Sequence, residues 1–420
     1  MIVLGIESSC DETAAAVVQD ATIVRSSIVA SQTQTHAEYG GVVPEIASRL
    51  HEINILPVLK QALAKANITP NELDAIAVGH RPGLVGSLLV GLSAAKALAW
   101  SLNKPLVGVD HVHAHLYAPF LTSPPSLPSP PSSPSPLSPV SSGTGFQPVS
   151  PDPSPSSSSP ALAGEVSPSD GGGLPPSSSS LPPNSSSVLS VVNPSFPALG
   201  LVVSGGHTSL YKLTSPTNLT RLGATIDDAI GEAFDKAASI LNLPYPGGPH
   251  IDRLAQHPKA NDRLIDFPIS RLAKDSLDFS YSGLKTALLY AAKGKPNPPK
   301  LPGKPQRLAE PAPELDEQRT RDLAASFQRA AIRALTIKAQ RALDQQPDFK
   351  SIIIGGGVSA NSLLRSEFTK LAKDNNLTLH IPEMQYCVDN AAMIAALGSV
   401  LFQSGHTDDL TLEATPTTAC

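Results

Sequence analysis

Cysteine is scarce in this chain. Cys10, Cys387 and Cys420 are too few and too scattered for a disulfide framework or a cysteine-based zinc site, which fits a reducing compartment. No secretory leader is expected in Met-Ile-Val-Leu-Gly-Ile-Glu, which has no basic region and reads as a first strand. The most apolar stretch, Leu84 to Leu102, is broken by Lys96, glycines and serines, so it reads as a buried helix and not as a membrane span. These absences predict a cytoplasmic protein with no membrane contact. A net charge of −5 argues against a generally basic nucleic-acid binder, although Lys285 to Arg341 holds 12 Lys and Arg against 5 Asp and Glu. That excess reads first as a solvated helix face with a Lys/Pro-rich loop from Lys293 to Lys304, and second as a path for a phosphate backbone.

Lys and Arg vanish altogether between Leu121 and Pro197, where Ser and Pro dominate and 18 of the 42 prolines fall between 121 and 190. Such a segment cannot bury enough apolar area to offset its ordering entropy, so 121–197 is expected to be a disordered insertion. At 420 residues the chain is too long for one ordinary core, and the remainder suffices for two lobes.

The hydrophobic pattern outside the insertion is regular. Ile2 to Ile6, Thr13 to Val18 and Thr22 to Ala30 read as consecutive strands; Val43 to Ala66 as a helix; Leu73 to Val78 as a buried strand before a helix from Leu84. The pattern recurs later: strands at Leu199 to Val203 and Thr208 to Leu213, a helix from Asp227, helices near 249–292 and at 319–345, a strand at Ser351 to Ile354, a helix from Asn361, a strand at Leu377 to Ile381 and a helix from Asp389. Two strand-turn-strand openings, each followed by helices, predict duplicated α/β lobes with a cleft between them.

Several motifs could carry chemistry. His111 and His115 follow an apolar strand at i, i+4, which puts both imidazoles on one helical face about 6 Å apart at Cβ. With a carboxylate they make a two-His, one-carboxylate set fit for Fe(II) or Zn(II); Asp389 offers one, although spacing alone does not assign it. His113 faces elsewhere. Glu7-Ser-Ser-Cys-Asp11-Glu12-Thr13 supplies hydroxyls and carboxylates at a turn, which is also ordinary turn chemistry. Ser204-Gly205-Gly206-His207 lets backbone amides approach a phosphate closely. Gly355-Gly356-Gly357 opening a helix, and Tyr245-Pro-Gly-Gly248-Pro-His-Ile-Asp252, suit a nucleoside but equally suit plain turns.

Taken together, Gly5-Ile-Glu-Ser-Ser-Cys-Asp-Glu-Thr13, Gly41-Val-Val-Pro-Glu-Ile-Ala-Ser-Arg-Leu-His51, the His-x-x-x-His, Ser204-Gly-Gly-His-Thr208, Asp227-Asp-Ala-Ile-Gly-Glu-Ala-Phe-Asp-Lys236, Tyr245-Pro-Gly-Gly-Pro249, Asp278-Phe-Ser-Tyr-Ser-Gly-Leu-Lys-Thr286, Gly355-Gly-Gly-Val-Ser-Ala-Asn361 and Asp389-Asn-Ala-Ala-Met393 resemble the tRNA N6-adenosine threonylcarbamoyltransferase family. The resemblance covers nearly everything outside the insertion. It implies an actin-like, two-lobed ATPase fold with a duplicated ribonuclease-H-like sheet: residues 1–120 completed by a C-terminal helix and tail at 389–420, and 198–388 as the second lobe. It further implies transfer of the threonylcarbamoyl group of threonylcarbamoyl-AMP to N6 of the adenosine 3′ to the anticodon, in tRNAs reading codons that begin with A. The metal positions fall on His111, His115 and Asp389. Substrate contacts fall on Val202, Val203, Ser204, Gly205, Gly206, Asp235, Gly248, Asp252 and Asn361. Partners implied are tRNA, a shorter paralogue of the same fold and a small P-loop ATPase.

An exocyclic adenine amine is a poor nucleophile, so the acyl carbon must be activated; Asp11, with Glu12 in second place, is expected to accept the amine proton. The chain departs from the family pattern at Arg81, where relatives carry glycine, and at Val388, where they carry a hydroxyl residue. Rival classes stay open at this point. A metallopeptidase of the His-Glu-x-x-His type fails because position 112 is valine. A non-catalytic nucleotide-binding scaffold would be expected to lack the metal ligands. A small-molecule kinase of the same fold would turn over ATP.

Overall fold

The computed structural model of the chain describes residues 1–123, 194–270, 272–295 and 313–417. The expected insertion at 121–197 therefore lies, apart from its two ends, outside the described residues, as does most of the loop 293–304. In chain order the first half runs β1 (Ile2–Glu7), β2 (Glu12–Gln19), β3 (Ile23–Ser31), α1 (Thr33–Ala37), α2 (Pro44–Ala66), β4 (Ala75–Arg81), α3 (Val85–Leu102), β5 (Leu106–Asp110) and α4 (His111–Ala114). A tighter helical turn, His115–Phe120, continues α4. The second half runs β6 (Ala198–Val203), β7 (Thr208–Ser215), β8 (Asn218–Ala224), α5 (Ile230–Ile240), α6 (Gly247–Ala255), α7 (Ser282–Lys293), α8 (Glu317–Gln345), β9 (Ser351–Gly355), α9 (Ser362–Asp374), β10 (Thr378–His380) and α10 (Ala391–Gln403).

Each half builds the same five-stranded sheet. The orders are β3-β2-β1-β4-β5 and β8-β7-β6-β9-β10. In both, the first three strands form an antiparallel meander, and the last two join the first strand in parallel. This is the duplicated α/β arrangement that the resemblance implied. The inner strands β1, β4, β6 and β9 are apolar runs buried on both faces, as covered parallel strands must be.

Helices α2 and α3 cover one face of the first sheet. The other face takes α10, which returns from the far end of the chain to pack on β1, β2 and β4. Its residues from Ala391 to Val400 are all buried, so it is apolar all round; Met393 and Ile394 alone stabilise by about 1.5–3 kcal/mol each. Of the described helices, α3 is the one long and apolar enough to cross a membrane; it packs on β4 and α2, with Leu88, Leu92 and Ala95 in the core.

Side-chain caps account for where elements depart from the pattern reading. The helix expected from Asp227 begins at Ile230, because Asp227 instead accepts hydrogen bonds from Ser280 Oγ at 2.5 Å and Tyr281 N–H at 2.8 Å. The last helix begins at Ala391 and not at Asp389, since Asn390 takes the capping role with its side chain on Met393 N–H. The helices expected near 249–292 are α6 and α7, with irregular chain between them. Strands β8 and helix α1 are additions that polar, short-period sequence did not reveal.

Candidate active site

The two sheets place matching turns at one cleft of about 970 Å³, the β1–β2 turn on one side and the β6–β7 turn on the other. Neighbouring motifs lock the first turn in place. Ser8 Oγ donates to Ser87 C=O at 2.8 Å and accepts from Gly91 N–H at 3.2 Å, tying the turn to α3. His51, at the end of the Gly41–His51 motif, bonds Thr13 Oγ1 at 2.8 Å through Nδ1 and Cys10 C=O at 3.0 Å through Nε2. In the second turn Ser204 N–H donates to His207 C=O at 2.8 Å, and a Cβ added at Gly205 or Gly206 would meet nothing within 4 Å. Backbone there is open to a ligand.

At the end of β5 the Asp110 side chain caps α4 by accepting from Val112 and His113 N–H, at 3.0 and 3.2 Å. That cap points His111 and His115 the same way, with ring centroids 4.7 Å apart. Asp389, released from helix capping by Asn390, meets them: its Oδ1 lies 3.5 Å from His111 Nε2 and 3.2 Å from His115 Nε2. One donor atom from each of the three lies within 4.8 Å of the others. His115 is fully buried with the Asp389 carboxylate as the partner of its Nε2, so this nitrogen and the carboxylate together face a position that a bound cation fits. His113 turns away and stacks edge-on with Tyr211, as expected.

Glu7 completes the centre. Read from sequence as one of three turn carboxylates, it is buried, and its Oε2 lies 3.0 Å from His111 Nδ1. This fixes Nε2 as the nitrogen presented to Asp389. Burial alone would hold His111 neutral, but the carboxylates of Glu7 and Asp389 push it up to about 10. Burial also opposes charge on Asp389, yet His111 and His115 hold its carboxyl well below the usual range.

Of the sequence-predicted residues, Asp11, Glu12, His111, Ser204, Gly205, Gly206, Asp235 and Asp389 line the cleft. Glu12 is pushed up to about 9 by burial and by the neighbouring Asp389 and Asp11. Asp235 accepts Gly247 N–H at 2.7 Å, and burial raises its pKa. Val202 and Val203 lie inside β6, and His115 is fully buried beneath the cleft. Asp252 and Asn361 are not among the lining residues, and they are joined by residues that sequence reasoning missed. Gln328 Nε2 donates to Asp252 Oδ1 at 2.9 Å, its Oε1 accepts from Asn361 Nδ2 at 2.9 Å, and Ser362 Oγ donates to Asp252 Oδ1 at 2.7 Å. Gly248 does not line the cleft, though its space is open. In the Gly355–Gly357 turn, Gly356 has φ +95°, and a Cβ there would meet Val203 C=O at 2.4 Å, so only glycine fits. Arg81 pairs with Asp110 at 3.5 Å, and Val388 lies at the cleft with half its surface exposed.

Within the described part of the basic run from 285 to 341, four side chains are held by other residues of the second half. Arg319 donates to Ala291 C=O, Arg329 to Asp262 C=O and Asp266, and both Lys338 and Arg341 to Ser276 C=O. Within its described part, Lys285 is the residue that reaches the cleft.

Comparison with known proteins agrees with this geometry. The family model for tRNA N6-adenosine threonylcarbamoyltransferase matches residues 23–143 and 186–396. Relatives bearing that name are 41% identical over 416 residues in Bacillus cereus (99% of this chain, 95% of the relative). In Trichlorobacter lovleyi the figures are 41% over 417 residues (99% and 96%), and in Carboxydothermus hydrogenoformans 39% over 415 (99% and 96%). Among solved structures, HypF of T. kodakarensis is similar with a TM-score of 0.50 at 13% identity, over 98% of this chain and 49% of that one, a likeness of fold alone. The chain thus belongs to the tRNA N6-adenosine threonylcarbamoyltransferase family and is a tRNA-modifying acyltransferase.

Proposed function

We propose that the donor is threonylcarbamoyl-AMP and the acceptor is N6 of the adenosine 3′ to the anticodon, in tRNAs reading codons that begin with A. The observation that carries this reading is the convergence of His111, His115 and Asp389 beside a cleft that also presents Asp11 and the Gly205-Gly206 backbone. Two imidazole nitrogens and a carboxylate with open positions fit one divalent ion, Fe(II) in first place and Zn(II) in second. Such an ion supplies Lewis-acid polarisation of the carbamoyl oxygen or an anchor for the threonyl carboxylate.

The chain's own residues supply the rest. Glu7 orients His111, and the turn amides at Gly205 and Gly206 stabilise charge on the departing phosphate of AMP. Asp235, Gly248, Asp252 and Asn361, backed by Gln328, are assigned to the adenylate. Val202 and Val203 set the position of the Ser204–Gly206 turn. Asp11 takes the amine proton. Glu12 is the weaker candidate, because a carboxyl raised to about 9 keeps its own proton near neutrality. The acceptor base must leave its stack to enter, which an anticodon-loop purine does at lower cost than a duplex base.

We further assign residues 1–120 with the helix and tail at 389–420 to one lobe and 198–388 to the other, and place the protein in the cytoplasm. A protein partner is supported by an apolar face on the packed pair α2 and α3, where Ile53, Leu56, Leu89 and Trp100 are all exposed. The shorter paralogue is the occupant assigned to it, with the small P-loop ATPase as a further partner. The test of the metal assignment is transfer measured after chelation and re-addition of Fe(II) or Zn(II), alongside metal content. Activity lost on chelation and regained with either ion, at one equivalent per chain, supports the reading; full activity in chelated protein overturns it.

A further inference from the structure

The cleft is strongly acidic. Asp11, Glu12, Glu232, Asp235 and Asp389 all line it, whereas Lys236 and Lys285 are the only lysines or arginines among its described lining residues. A polyanionic acceptor approaching the carboxylates of Asp11, Glu232, Asp235 and Asp389 meets repulsion unless fixed cations offset it at the point of entry. Resting on the tRNA reading above, we propose that Lys236 and Lys285 form a clamp for a backbone phosphate of the anticodon loop next to the reacting adenosine.

The clamp is held together by one carboxylate. Asp228 Oδ1 lies 2.6 Å from Lys236 Nζ and Oδ2 lies 2.8 Å from Lys285 Nζ, so a single side chain sets two ammonium groups side by side. Asp228 comes just before α5, which carries Lys236, and Lys285 sits in the first turn of α7, so two elements converge there. Both lysines remain partly exposed, at 38% and 29%. Each ammonium has three N–H groups; Lys236 gives one to Asp228 and one to Glu232, and Lys285 gives one to Asp228, which leaves protons for phosphate oxygens. The Glu232 pair is an i,i+4 surface contact with Glu232 47% exposed, the kind a phosphate displaces at little cost.

The RNA backbone is favoured over the donor's phosphate by position. The donor's phosphate is assigned to the open Gly205-Gly206 backbone, which leaves the partly exposed ammonium groups of Lys236 and Lys285 for the acceptor. Asp228 is accordingly a positioning residue, since it acts through the two ammonium groups.

The experiment compares wild type, Lys236→Gln/Lys285→Gln and Lys236→Arg/Lys285→Arg full-length chains, with partner proteins present where wild type needs them. The probe is an unmodified tRNA transcript reading a codon that begins with A. Direct binding at graded salt and steady-state transfer are both measured. Loss of two phosphate-facing charges should weaken tRNA binding about tenfold or more at low salt and lower the salt slope by about 1.4, with the arginine pair restoring both. In transfer, the loss should fall on KM for tRNA and not on KM for threonylcarbamoyl-AMP. Unchanged tRNA binding and salt slope overturn the clamp. A rise confined to the KM for threonylcarbamoyl-AMP assigns the lysines to the donor and overturns it too. A matching fall in melting temperature not rescued by the arginine pair marks a structural staple, again against it. Because binding is read without chemistry, a wild type that binds tRNA through these lysines yet makes no product would fail the functional reading alone.

Discussion

Glu7 Oε2 and His111 Nδ1 lie 3.0 Å apart, both side chains buried, and this pair decides which nitrogen of His111 faces Asp389. A carboxylate that fixes the tautomer of a metal-facing histidine also raises its basicity, and removing such a partner costs about 10–100-fold in metal affinity. Glu7→Gln, which keeps the shape, should therefore bind Fe(II) or Zn(II) that much more weakly. Metal titration at constant pH checks this, and excess metal should recover part of the lost transfer.

Asp11→Ala should lower the rate of transfer by about 10²–10⁴-fold, the usual contribution of a positioned base, while leaving the melting temperature near wild type. Glu12→Gln should cost much less, since Glu12 is raised to about 9 and already carries a proton near neutrality. Single-turnover transfer with threonylcarbamoyl-AMP supplied separates the two.

Asn361 has two duties that substitution can divide. Its Oδ1 caps α9 on Leu364 N–H at 3.0 Å, and its Nδ2 reaches Gln328. Asn361→Ala should lose about 1 kcal/mol of stability with the cap, whereas Asn361→Ser keeps it. If the donor assignment holds, both variants should raise KM for threonylcarbamoyl-AMP, and urea melts report the cap.

Acid should destabilise the fold through buried histidines. His51 and His80 are held below the ordinary value by burial, and burial lowers His207 to about 4. Groups that stay neutral in the native state take up protons on unfolding, so their stability contribution is present above about pH 6.5 and is lost as pH falls through the native values. Melting temperature should drop from pH 7 to pH 4.5, and His51→Gln should flatten part of that slope.

The family model skips 144–185, so deleting these residues should leave transfer within about twofold of wild type, as loop length costs little. Loss of transfer with melting unchanged would show that the segment takes part.

Much of this was legible in the chain because periodicity and spacing are local properties. Strand patterns repeated in both halves, His111 and His115 at i, i+4, and the Gly-Gly turn could each be read without coordinates. What was hidden depends on contacts far apart in sequence. Glu7 looked like any turn carboxylate until β5 brought His111 to it across 104 positions. Gln328 lies in the middle of a long helix with nothing local to mark it. The basic run from 285 to 341 shows the same limit, since charge density does not tell that Lys338 and Arg341 both donate to Ser276 C=O.

The most direct test is nucleoside mass spectrometry on tRNA incubated with the protein, threonylcarbamoyl-AMP and divalent metal, beside a His111→Ala/His115→Ala double variant. Threonylcarbamoyladenosine formed by the wild type and absent with the variant is the predicted result. Equal product from both would contradict the metal-centred account, and no product from the wild type even with partner proteins added would contradict the transfer reaction itself.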